Sequence, residues 1–159
     1  MATAHKNLSD YNKDELPDAS DLKIGLVVSE WNNNITENLY QGAHETLLDC
    51  GVKPENILRW NVPGSFELVF GAKKMSETTF VDAIIVIGCV IQGETKHFDF
   101  VCQGVTNGIA QLNLALIIPV IFCVLTDNHI QQSIDRSGGK HGNKGSEAAV
   151  AAIKMANLG

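Results

Sequence analysis

Ala83-Ile-Ile-Val-Ile-Gly-Cys-Val-Ile91 is apolar at every position. A strand with one wet face alternates apolar and polar residues. An unbroken, β-branched run of this length instead predicts a strand covered on both faces, as in a parallel sheet held between helical layers. Outward from it the chain keeps to that scheme. Leu22–Ser29 (LKIGLVVS), Asn56–Val62 and Val120–Leu125 (VIFCVL) predict three further strands. Ile35, Leu39, Ala43 and Leu47 recur every fourth residue and Gly51 follows as a stop, which predicts a helix between the first two strands. Pro63-Gly64 turns the chain into a helix over about 65–77, and Gly93-Glu94-Thr95 leads into another over about 97–114. Helices over about 128–136 and 146–157, separated by a glycine-rich loop, finish the chain.

Strands alternating with helices predict one domain over residues 21–159: an α/β fold, a three-layer α/β/α sandwich on a four-stranded parallel sheet, with a flavodoxin-like strand order as the expectation. Residues 1–20 are polar and acidic and carry Pro17, which predicts a flexible N-terminal arm or a segment ordered by a neighbour. A length of 159 residues suffices for one buried core. The net charge of −6 argues against nucleic acid and against an anionic membrane surface, both of which need clustered Lys and Arg. The longest near-apolar stretch, residues 114–125, is interrupted by Pro119 and is too short to span a bilayer. The polar start is no secretory signal. Cys50, Cys89, Cys102 and Cys123 show no close pairing and are read as reduced thiols of a cytoplasmic protein. The five histidines are scattered and no metal cluster emerges, so neither metal nor cofactor is expected.

In such sheets, ligands bind beyond the carboxyl ends of the strands. Trp31 follows the first strand, and Ser65, Phe66 and Glu67 follow the second. The third runs out through Cys89, Val90 and Ile91 to Gly93-Glu94-Thr95-Lys96-His97, and Phe122 lies on the fourth. Taken singly, Trp31 could cap the sheet and Phe122 could be core; together they could stack a planar ligand. The turn before His97 opens a helix, so its free amides and dipole favour an anion. Histidine there suits proton transfer at neutral pH, although a plain helix start with a surface histidine has the same pattern. A second anion candidate is Arg136-Ser-Gly-Gly-Lys-His-Gly-Asn-Lys144-Gly145, a cationic, glycine-rich stretch in a chain with only two arginines, Arg59 and Arg136. A solvated loop with a few cations is its plainer reading. A phosphoacceptor receiver domain would need carboxylates after its first and third strands, and the third ends in Val-Ile-Gln-Gly.

Taken together, the blocks Val62-Pro-Gly-Ser-Phe-Glu67, Gly88-Cys-Val-Ile-Gln-Gly-Glu-Thr-Lys-His97 and Gly142-Asn-Lys-Gly145, in this order and spacing, are very specific. From Leu22 to Leu158 the sequence resembles the lumazine synthases. The resemblance implies condensation of 5-amino-6-(D-ribitylamino)uracil with 3,4-dihydroxy-2-butanone 4-phosphate to 6,7-dimethyl-8-ribityllumazine with release of phosphate, the penultimate step of riboflavin biosynthesis, catalysed by a transferase without cofactor. It implies that Trp31 stacks on the pyrimidine with Phe122 lining the pocket, and that Ser65, Phe66 and Glu67 hold the ribityl chain. Cys89, Val90 and Ile91 would meet the ring edge through backbone, with Lys144 nearby. Glu94, Thr95 and Arg136 would bind phosphate, His97 would transfer protons, and Glu147 would orient Arg136. It also implies a homopentamer with sites between subunits, a sixty-subunit icosahedral shell for some members, and riboflavin synthase as a partner. Gln92, where basic residues are frequent in the family, and Cys123, often a glycine, depart from the pattern. A ligand-binding relative without turnover and a shell protein with vestigial sites are the competing readings; the intact His97 and Arg136 weigh against both.

Overall fold

In the computed structural model, which describes residues 7–158, the elements follow in the order β1 (Ile24–Ser29), α1 (Asn33–Asp49), β2 (Ile57–Val62), α2 (Leu68–Thr78), β3 (Ala83–Ile91), α3 (His97–Ala115), β4 (Val120–Asp127), α4 (Ile130–Arg136), β5 (Ser137–Gly139), β6 (Gly142–Asn143) and α5 (Lys144–Ala156). The first four strands form one parallel sheet in the order β2-β1-β3-β4, with Ile24 opposite both Ile57 and Ala83, and Ile84 opposite Val120. The expected three-layer, flavodoxin-like sandwich is therefore present.

The period-two geometry of a strand explains why β3 is apolar throughout. Ile85, Ile87 and Cys89 face one core, with Leu39, Ala43 and Leu47 of α1 and Ala149, Ala152 and Ile153 of α5. Ile84 and Val86 face the other, with Leu68, Ala72 and Met75 of α2 and Val105 and Ile109 of α3. Helices α1 and α5 cross closely because Gly145 has no side chain: a Cβ there would lie 1.9 Å from the Leu39 carbonyl oxygen.

Boundaries move by a few residues where caps decide them. The second helix begins at Leu68 rather than near Ser65, because Ser65–Glu67 form the turn off β2. The last begins at Lys144, where the Asn143 side chain accepts from the Gly145 amide. The glycine-rich loop is a short antiparallel hairpin, β5–β6, with Gly138 and Gly142 at positive φ of 110° and 80°. The arm expected over 1–20 falls partly outside the described residues. From residue 7 onward it runs against this hairpin and α1: the Leu8 amide donates to His141 O (2.8 Å) and the Tyr11 hydroxyl to Asp49 (2.8 Å). Ala19 is buried in the α1/α5 core.

Candidate functional site

A parallel sheet points all its strand ends one way, and here the ends of β1, β2 and β3 enclose a cavity of about 820 Å³. Two backbone bonds tie the segments leaving β1 and β2 together: Glu30 N–H to Val62 O (2.8 Å) and Trp31 N–H to Pro63 O (3.2 Å). Asn32 then reverses the chain in the left-handed region (φ 57°), and its side-chain amide donates to Cys89 O (2.9 Å) at the end of β3. Asparagine tolerates this conformation better than most side chains. Three strand ends are thus pinned to one another before any ligand arrives.

The walls bring together Trp31, Ser65, Phe66, Glu67, Cys89, Val90, Ile91, Thr95 and His97 of the residues expected from sequence. Trp31 is 71% exposed and Phe66 57% exposed, leaving large aromatic surfaces at the mouth. Ser65 is the opposite case. It is buried, and among the described residues its hydroxyl oxygen has no hydrogen-bond partner. Gly88 makes room for it, since a Cβ there would stand 2.7 Å from Ser65 Oγ. A buried hydroxyl left unpaired costs about 1–3 kcal/mol, which a ligand hydroxyl can recover. Thr95 and His97 stand at the start of α3, and the Thr95 hydroxyl accepts from the His97 amide (3.3 Å). The Asp99 amide is bonded to Lys96 O (3.1 Å), and the helix dipole favours an anion beside this end.

Glu94, Phe122, Arg136, Lys144 and Glu147 do not line this cavity. Phe122 sits on β4, half-buried and packed against the α2/α3 core. Arg136 ends α4 and donates to Gln132 O one turn back (3.0 Å); among the described residues it has no carboxylate partner. Lys144 pairs with Glu147 (2.9 Å) on the first turn of α5. Burial disfavours both of those charges and the ion pair acts against it; Lys144 is held above and Glu147 below its ordinary pKa.

Gly64 and Gly93, read in the turns after β2 and β3, also line the cavity; Asn32, Phe98, Phe100 and Val101 line it too, and reading strand ends alone missed them. The run Asn32-Asn33-Asn34 at a strand-to-helix turn was the available signal for Asn32. Phe98, Phe100 and Val101 follow from the rotation of α3, which a sequence pattern does not give.

A second hollow, of about 780 Å³, lies between residues 9–11, α1 and the hairpin. Among the described residues it is lined by Glu37, Glu45 and Asp49 with no Lys, Arg or His, which is unfavourable for an anionic ligand. Among the described residues no three His, Cys, Asp or Glu side chains gather as a metal site, and no helix is long and apolar enough to cross a membrane.

Residues 21–159 match the family model described as 6,7-dimethyl-8-ribityllumazine synthase. Proteins of that name from Flavobacterium johnsoniae and Flavobacterium psychrophilum are 70% and 65% identical over 158 residues, covering 99% of this chain and 83% and 84% of theirs. That of Parabacteroides distasonis is 61% identical, covering 99% of both chains. The chain belongs to the 6,7-dimethyl-8-ribityllumazine synthase family.

Proposed function

We propose that the protein is a transferase that condenses 5-amino-6-(D-ribitylamino)uracil with 3,4-dihydroxy-2-butanone 4-phosphate to 6,7-dimethyl-8-ribityllumazine, the penultimate step of riboflavin biosynthesis. The observation that carries this reading is the unpaired, buried Ser65 hydroxyl in a cavity mouthed by Trp31 and Phe66. An aromatic ring with a polyhydroxy tail uses both features: the ring stacks, and a tail hydroxyl pairs with Ser65 and with Glu67. Cys89, Val90 and Ile91 present strand-end backbone to the ring edge.

The chemistry is suited to a site that holds and shuttles. The 5-amino group adds to the ketone and water leaves, giving an imine. Loss of a proton drives out inorganic phosphate. The ribityl-bearing nitrogen then closes on the carbonyl so formed, and a second water leaves. Each step moves protons, and His97 at the cavity wall is the group to move them, while Thr95 and the N-terminal end of α3 receive the phosphate. No strong nucleophile is needed.

In the same reading Arg136 clamps the phosphate, Glu147 orients it, and Lys144 and Phe122 complete the pyrimidine pocket from an adjacent copy in a homopentamer. The exposed Trp31, Phe66 and Phe100 around one mouth support such covering, since contiguous apolar surface of this kind is uncommon on monomers. The reading extends to a sixty-subunit icosahedral shell, to riboflavin synthase as a partner, and to work in the cytoplasm. Mixing purified protein with both substrates tests the reaction: lumazine absorbance should rise in step with released phosphate. Sedimentation of the same sample tests the assembly. Absorbance that stays flat with both substrates present would remove the proposed reaction.

A further inference from the structure

Helix α4 is seven residues long and its only buried residues are Ser133 and Asp135. Ile130 and Ile134 are 49% and 44% exposed. So short a helix has little stability of its own and here has little apolar surface with which to dock, so its position depends on polar attachments. The innermost is a chain of side chains at the ends of β3 and β4. The Cys89 thiol donates to Ser133 Oγ (3.4 Å), and the Ser133 hydroxyl donates to Asp127 Oδ2 (2.7 Å). Ser133 has no exposed surface, and Cys89 is on the cavity wall. The backbone beside them is fixed too, with the Gln92 amide bonded to Asp127 O (2.9 Å) and Asn32 bonded to Cys89 O. Burial, with the Asp127 charge, pushes the Cys89 thiol pKa up, so it remains a protonated donor.

We propose that Asp127 and Ser133 are positioning residues: the chain Asp127–Ser133–Cys89 sets where α4 rests on the sheet, and so where Arg136, three residues beyond Ser133, is presented to phosphate. This rests on the phosphate-clamp role of Arg136 proposed above. The directions of the bonds fit. A serine hydroxyl can accept from the thiol and donate to the carboxylate at once, whereas alanine can do neither. The second attachment of α4 is Asp135, which accepts from Gln131 (2.9 Å) and pairs with Lys140 (3.1 Å). Those bonds lie within α4 and the hairpin, so they shape the segment without fastening it to the sheet.

The test uses the intact assembled protein with Ser133→Ala, which suits a helix, and Asp127→Asn, which keeps an acceptor for the Ser133 hydroxyl. For Ser133→Ala we expect about a fivefold rise in KM for the sugar phosphate, the order of one lost hydrogen bond. KM for the pyrimidine and kcat should stay within about twofold of the parent. Amide exchange across residues 131–136 should quicken while that of α3 is unchanged. Asp127→Asn should stay close to the parent on every measure. Unchanged exchange in Ser133→Ala would overturn the proposal, as would faster exchange with both KM values moving together. If the parent protein makes no lumazine, the proposed reaction fails instead, and titration with inorganic phosphate replaces the KM arm. Weaker phosphate binding by Ser133→Ala then supports the positioning role and equal binding overturns it.

Discussion

The cavity beyond β1–β3 and the segment from Arg136 to Lys144 were both expected from sequence to hold phosphate, and they are built in opposite ways. The cavity is assembled by the sheet. Its polar groups stand on pinned strand ends and at the start of α3, and among the described residues it contains neutral donors, one carboxylate and His97, but no Lys or Arg. The Arg136–Lys144 segment carries the cations and almost no apolar anchoring. Lys140 is paired with Asp135, Lys144 with Glu147, and Arg136 stands without a carboxylate partner among the described residues. One copy of the chain thus supplies a shaped receptacle lined by no Lys or Arg among the described residues and, outside that lining, the cationic segment. In the function proposed above, the two are used together across a contact between copies.

The largest effects should come from removing one functional group from each region. His97→Ala should lower kcat by about 100-fold without abolishing turnover, because positioning survives the loss of the proton carrier. Arg136→Ala should raise KM for the sugar phosphate by roughly 10-fold or more while sparing the pyrimidine. Co-assembled with each other, the two variants should exceed the mean of the separate proteins if sites are shared between copies. A mixture no better than that mean, in verified mixed assemblies, would place both residues in separate or self-contained sites.

Smaller effects sharpen the contrast in construction. Gly145→Ala forces a methyl onto the Leu39 carbonyl, and overpacking of this kind costs about 1–3 kcal/mol, read as a lower melting temperature. An unchanged melt would show that α1 and α5 yield more easily than their contact suggests. Asn32→Ala removes the bond to Cys89 O and a residue suited to positive φ, costing about 1–2 kcal/mol, with loss of pyrimidine affinity exceeding loss of phosphate affinity.

The smallest effect lies away from both regions. Arg59 grips Glu37 through both guanidinium arms and stacks over Tyr40, 4.2 Å from its centroid. The hydrogen bond from Arg59 holds the Glu37 carboxyl below its ordinary value. A depressed carboxylate stabilises the fold above the unfolded-state pKa, and that contribution disappears as pH falls through the folded value. Because the pair is half-exposed, its worth is under about 1 kcal/mol and is reduced by salt. Comparing Glu37→Gln with the parent at pH 7 and below pH 4 should show a melting difference only at the higher pH.

Periodicity and strand-end position determined the layers, the parallel sheet and most of the cavity wall, because a sheet buried on both faces must be apolar throughout and must aim its ends one way. The three sequence blocks carried the family. Tertiary structure alone decided that Phe98, Phe100 and Val101 turn toward the cavity, since helix rotation depends on packing against the sheet. It alone revealed the Asp127–Ser133–Cys89 chain, whose members lie 6 and 44 residues apart and share no sequence pattern. It also separated Arg136 from His97's cavity: one sequence can encode both charge and receptacle, but only folding decides whether the same copy brings them together.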